Sequence, residues 1–180
     1  MKRFLFFSML TAMVLTNAVA QPATVAEVSF TFTRQGGLAT NQFAIWVEDN
    51  HGRHVKTLYA TRFTANGGWR RRDASLSQWV TQSGLATMSQ NQIDTLTGAT
   101  PKTGTQTYRW DGTDSQNIAV PPGDYVIFLE SNLRWSRRVL YRAPIRLGQG
   151  AATPQVTTEY IGNPGKEQAI ISAVSVRTIR

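Results

Sequence analysis

Val28-Ser29-Phe30-Thr31-Phe32-Thr33 alternates apolar and polar side chains with a period of two. Successive side chains of an extended strand point to opposite faces, so this stretch reads as a half-buried β-strand. The same reading extends outward. Phe43, Ile45 and Val47 share one face of a second segment that runs into Asp49-Asn50-His51-Gly52, a turn composition expected to open a hairpin into His54 to Arg62. Thr105 to Trp110 passes through Asp111-Gly112-Thr113-Asp114 and Val120-Pro121-Pro122-Gly123 into Asp124 to Glu130, which predicts another hairpin with a long connection. Val139 to Leu147 reads as a later strand, with Pro144 placing it near an edge or bulge. Glu159 to Ile161 and Ala169 to Arg177 add one or two more, around the turn residues Gly162-Asn163-Pro164-Gly165. About seven to nine short strands with Gly/Pro turns between them predict an all-β, immunoglobulin-like β-sandwich.

The interval Thr64 to Thr103 breaks this rhythm and is far longer than a hairpin loop. Long loops in compact domains tend to carry function. Ser75 is placed to cap a short helix with Leu76, Trp79 and Val80 on one face, so the insertion is expected to be partly helical and to pack on the sandwich.

Met1-Lys2-Arg3, a short apolar run to Leu15 and Ala18-Val19-Ala20 read as a signal peptide over residues 1–20. The remainder, 21–180, is expected to form a single β-sandwich domain in the periplasm or outside the cell, with no membrane span in the mature chain. Without cysteine, disulfides, thiolate metal sites and Cys nucleophiles are excluded. The charge is basic, with 19 Lys and Arg against 11 Asp and Glu. Two clusters concentrate it: Trp69-Arg70-Arg71-Arg72 and Arg134-Trp135-Ser136-Arg137-Arg138. Nucleic acid is not an expected partner of an exported protein, whereas an acidic partner, an anionic membrane surface or a cofactor phosphate suits the forked arginine donors. The structural alternative is a solvated surface with tryptophans beneath the arginine stems.

At the end of the insertion stand Asp94-Thr95-Leu96-Thr97-Gly98-Ala99-Thr100. As plain structure this is a surface loop, with Asp94 and Thr97 bonding nearby backbone and Gly98 supplying a positive φ. Pro101 pushes Thr100 toward an extended conformation. The pattern also resembles the acceptor sequence of periplasmic FAD:protein FMN transferases. That resemblance implies that Thr100 carries FMN through a phosphoester, with Asp94, Thr97, Gly98 and Ala99 as the rest of the recognised sequence. Trp110 to Asp114 with Val120 to Tyr125 resembles the immunoglobulin-like module of flagellar hook-capping proteins and many exported sandwiches. Together with Phe43 to Asp49, Val55 to Tyr59 and the acceptor motif, it is similar to the periplasmic domain-of-unknown-function family 2271 over nearly all of Glu27 to Gly148. Members of that family keep company with flavin transferases and with PepSY-domain membrane proteins, which implies a place in extracytoplasmic electron transfer. Outside the seven-residue motif, nothing resembles the FMN-binding domain of the well-known flavin-bearing subunits.

Positive signals for an enzyme are absent. His51 and His54, near Glu48 and Asp49, make at most half a metal site and read as a solvent-exposed pair at a hairpin tip. There is no Gly-x-Ser-x-Gly nucleophile elbow, and Gln35-Gly36-Gly37 and Asn66-Gly67-Gly68 are turns without a strand-to-helix unit. Two readings follow. One is a non-enzymatic electron carrier with FMN on Thr100, the flavin ring on Trp69 or Trp79, Arg70 to Arg72 steadying its reduced anion, and a membrane redox protein as partner. The other is a cofactor-free immunoglobulin-like adaptor or structural binding module of the cell envelope.

Overall fold

The computed structural model describes residues 25–36, 41–134, 137–162 and 170–179. The leader, Trp135, Ser136 and the Asn163-Pro164-Gly165 turn lie outside the described residues. Among the described residues nine strands form two sheets: β1 Val25–Phe32, β2 Gln42–Asp49, β3 His54–Thr61, β4 Thr97–Gly98, β5 Gly104–Trp110, β6 Gly123–Arg134, β7 Arg137–Leu147, β8 Thr157–Ile161 and β9 Ile171–Ile179. The smaller sheet has the order β5-β1-β9 and the larger β4-β3-β2-β6-β7-β8. The all-β sandwich expected from the alternation is what forms.

The alternation decides which side chains fill it. Ala26, Val28, Phe30 and Phe32 of β1 face Phe43, Ile45 and Val47 of β2, with Ile127 and Leu129 of β6 and Tyr141 of β7 beside them, all buried. Phe30, Phe43, Tyr59 and Tyr108 interlock, with neighbouring ring centroids 4.9–6.2 Å apart. On the outer face of β1, Glu27 draws together Arg109 of β5 and Arg177 of β9, at 2.9 and 2.6 Å. The Arg109 hydrogen bond, with help from Arg177, holds the carboxyl below its ordinary range against the opposing pull of burial.

The β2 to β3 hairpin forms as expected, with Asp49 Oδ1 accepting from the backbone N–H of His51 and Arg53. The second expected hairpin does not. β5 pairs with β1 in the small sheet, and β6 lies between β2 and β7 in the large one. The connection crosses from sheet to sheet because its two anchors pack between the layers: Trp110 and Tyr125 meet edge to face at 5.1 Å. Each is fastened to its own turn, the indole N–H to Thr113 O at 2.7 Å and the phenol to Pro121 O at 2.7 Å. Pro144 pairs with Val126 on one side, while β8 reaches only as far as Arg142 on the other. The missing N–H thus falls where β7 becomes an edge.

The insertion lies on the outer face of the large sheet as a third layer. Ala44, Trp46, Phe128 and Leu140 point outward from the strands and bury against Ala65, Leu76, Trp79, Leu85 and Ile93. Trp46 and Phe128 stack at 5.0 Å, only 9° from parallel. β2 is therefore apolar on both faces, as its run Phe43-Ala44-Ile45-Trp46-Val47 requires.

Candidate functional site at the Thr100 end

The insertion leaves β3 at Thr61 and returns beside it at β4. Gln42 pins its start: its Oε1 accepts from Thr61 Oγ1 at 2.6 Å and from the N–H and hydroxyl of Thr64 at 3.2 Å each. Then come a turn over Thr64–Gly68, a short helix α1 Trp69–Arg71, α2 Ser77–Gln82 and α3 Gln90–Leu96. Ser75 does not cap α2. Its hydroxyl pairs with Thr64 Oγ1 at 2.8 Å, and the capping position is Leu76, in the left-handed region at φ +50°. The helix is capped from the sheet instead, by wholly buried Glu130 of β6, whose Oε2 accepts from the Trp79 N–H at 2.9 Å. Arg138 closes on Oε1 of the same carboxylate at 2.8 Å. Burial pushes the Glu130 carboxyl up, and Arg138 and the helix N–H groups oppose it. By contrast, Ser89 caps α3 locally in a reciprocal box with Gln92.

The Asp94 to Thr100 stretch is split between elements. Asp94 is exposed on α3 and accepts from Gln90 Nε2 at 2.9 Å. Thr97 and Gly98 form β4, parallel to Ala60 and Thr61 of β3, so Gly98 is extended rather than at positive φ. Its lack of a side chain serves another purpose: a Cβ there would stand 2.5 Å from Tyr59 Cε2. The Tyr59 ring lies across Gly98 and its hydroxyl donates to Ala99 O at 2.6 Å. Burial raises the Tyr59 hydroxyl above its ordinary value, opposed by the nearby Arg62 guanidinium. Thr97 Oγ1 is buried without a partner. Thr100 is half-buried in the irregular segment after β4, and among the described residues its hydroxyl accepts and donates no bond while keeping contact with solvent. These residues fit a phosphoester, since the hydroxyl of Thr100 is open and that of Thr97 is enclosed.

Trp79 cannot stack on a bound flavin. It is fully buried under α2, and its indole N–H donates to Thr57 Oγ1 at 3.0 Å. Trp69 is half-buried, with Arg70 at 5.0 Å over its ring. His54 is not an exposed tip residue either. Its ring lies within 2.9 Å of Thr57 Oγ1, and burial lowers its pKa to about 4. Among the described residues no three His, Asp or Glu side chains converge as a metal site. His54, Lys56 and Leu58 floor a groove of about 830 Å³ beneath α3, walled by Met88, Leu96 and Arg109. Its lysine is already committed, to Asp111 at 3.4 Å, Thr113 Oγ1 at 2.5 Å and Asn117 Oδ1 at 3.1 Å.

A family model described as "Predicted periplasmic protein (DUF2271)" matches residues 24–163, most of the chain. The chain belongs to this family. The periplasm is thereby its compartment. No curated protein and no solved structure matches the DUF2271 chain. No helix among its described residues is long and apolar enough to cross a membrane.

Sequence reasoning missed Tyr59, Arg62 and Glu130. Only Glu130 left a signal, a carboxylate within the apolar run Tyr125-Val126-Ile127-Phe128-Leu129.

Proposed function

We propose that this periplasmic protein is a non-enzymatic electron carrier bearing FMN on Thr100. One observation carries the reading: in an acceptor-like sequence, the last threonine presents a solvent-contacting hydroxyl without a hydrogen bond, on a segment fixed by Tyr59 and β3. A hydroxyl held by other donors or acceptors would have to be released before it could react. In the transfer, Thr100 Oγ attacks the FMN-side phosphorus of FAD, the pyrophosphate P–O bond breaks, AMP leaves, and the hydroxyl proton passes to a base on the FAD:protein FMN transferase. Bound FMN would supply electron transfer, which no side chain of this protein supplies by itself. The protein's own residues set position. β4 and the Tyr59 bond to Ala99 hold the backbone beside Thr100, and Pro101 biases Thr100 toward an extended conformation.

The test is intact-mass analysis of protein produced in the periplasm together with a flavin transferase. The expected result is one added FMN moiety, less the water lost in the ester, absent from Thr100→Ala. Unmodified protein, under conditions that modify a control substrate, would sink the carrier and leave a cofactor-free envelope adaptor as the reading.

A further inference from the structure

Among the described residues, lysines and arginines differ in whether a carboxylate pairs with them. Arg53, Lys56, Arg109, Arg138, Arg142, Arg146 and Arg177 each pair with a carboxylate. Arg34, Arg62, Arg70, Arg71 and Lys102 are exposed, and among the described residues none has a carboxylate within ion-pair distance. These five come from distant parts of the chain, yet the topology gathers them.

Register does the gathering. Arg62 follows Thr61, the partner of Gly98. Arg34 follows the end of β1, where Phe32 pairs with Gly104, and its N–H donates to Thr103 Oγ1 at 3.0 Å. Lys102 sits between Thr100 and that bond. Arg70 and Arg71 lie on α1, tied to Phe63 through Gly68, where a Cβ would meet the Phe63 ring at 2.7 Å, and through Arg72, which lies 5.6 Å over that ring. The start of β2, the end of β6 and the start of β7 are at this end too, since Gln42 pairs with Asn132 and Asn132 with Arg138. Arg70 and Arg71 of one arginine-rich cluster, and the strand positions of Arg137 and Arg138 of the other, therefore lie toward the end of the sandwich that presents Thr100.

We propose that this end is a docking face for an acidic protein surface, the electron donor or acceptor of the Thr100 site. The partner's redox role rests on the flavin reading; its acidity rests on the unmatched charge alone. Exposed cations without a neutralising carboxylate steer oppositely charged surfaces into encounter, and small, weak, charge-steered interfaces suit electron transfer. Among the described residues, Phe63, 41% exposed, is the one large apolar side chain exposed at this face; the other large exposed ones, Ile118 and Tyr160, lie on the β5 to β6 connection and on β8. A single aromatic with a rim of arginines suits a protein contact. A membrane-inserting surface needs several apolar side chains together. Two carboxylates border the face without neutralising it, Asp73 bonded to its own Ala74 N–H and Asp94 bonded to Gln90.

The test uses the full chain in a Thr100→Ala background, so that the outcome is independent of flavin. Labelled poly-L-glutamate is titrated at low salt against the parent, against Arg62→Gln/Arg70→Gln/Arg71→Gln, and against Arg53→Gln/Arg142→Gln/Arg146→Gln, which loses the same charge elsewhere. The face predicts about tenfold weaker binding for the first triple variant and less than about twofold for the second. Equal weakening by both would overturn it, showing a response to net charge only. Tighter, salt-sensitive binding to phosphatidylglycerol vesicles than to poly-L-glutamate would overturn it in favour of a membrane surface.

Discussion

Replacing Glu130 with glutamine tests how the helical layer is held to the sheet. The carboxylate is wholly buried, accepts from Trp79 N at 2.9 Å and from Arg138 at 2.8 Å, and stands in for the cap that Leu76 cannot supply. Glutamine keeps the shape but turns one oxygen into a donor, which must then face either the helix N–H groups or the guanidinium. A charge-assisted bond contributes about 1.5–3 kcal/mol, and breaking a buried pair costs about 3–5 kcal/mol. Arg138 keeps 17% of its side chain exposed and so recovers some hydration. The expected loss is therefore about 3 kcal/mol, a sizeable fraction of the roughly 5–15 kcal/mol that holds a typical domain together. Urea unfolding followed by tryptophan fluorescence reads it directly. With a slope of about 2–3 kcal/mol per molar, the midpoint should fall by about 1–1.5 M. A midpoint for Glu130→Gln within about 0.2 M of the parent would refute the reasoning, since it would mean that the insertion is held by apolar packing without the cap.

His54 has a pKa lowered to about 4 in the fold, against 6.5 for the unperturbed side chain. The unfolded chain therefore binds more protons between those values, so this contribution is complete above pH 6.5 and is lost as pH falls toward 4. Urea unfolding across that window should show the parent losing up to about 3 kcal/mol more than His54→Gln; parallel curves would show that His54 is not buried neutral. Leu76→Gly relieves a left-handed φ worth about 1 kcal/mol but empties a wholly buried site worth about 2–5 kcal/mol. Its unfolding midpoint should drop, and an unchanged or higher midpoint would contradict that balance. Gly98→Ala should displace the Tyr59 ring and free its hydroxyl from Ala99, seen as a lower Tyr59 pKa in a spectrophotometric titration; an unaltered titration would show that the ring is not held there.

The β1 alternation and the Asp49 to Gly52 turn were legible because both signals are local: a period of two marks the inward face, and the turn residues fix a hairpin. Alternation does not say which sheet a strand joins, and so β5 and β6 read as a hairpin although their anchors pack between layers. The cap of α2 could not be read either. Its carboxylate comes from β6, about fifty residues away, while the nearby Ser75 is taken by Thr64. Gly98 looked like a turn glycine, and only the Tyr59 ring explains it. The same non-locality hid the docking face, since Arg34, Arg62 and Lys102 are single, unremarked charges until strand register brings them to one end. One local signal of the third layer does exist: Ala44 and Trp46 interrupt the expected polar face of β2, which announces a layer on each side.

Localising the adduct shows whether Thr100 is the flavin attachment point. Protein matured with a flavin transferase is digested with trypsin, and the peptide ending at Lys102 is fragmented by tandem mass spectrometry. The FMN moiety is expected on Thr100, with Thr95 and the enclosed Thr97 bare. An adduct on Thr97 or Thr95, or a bare peptide beside a modified control substrate, would contradict it.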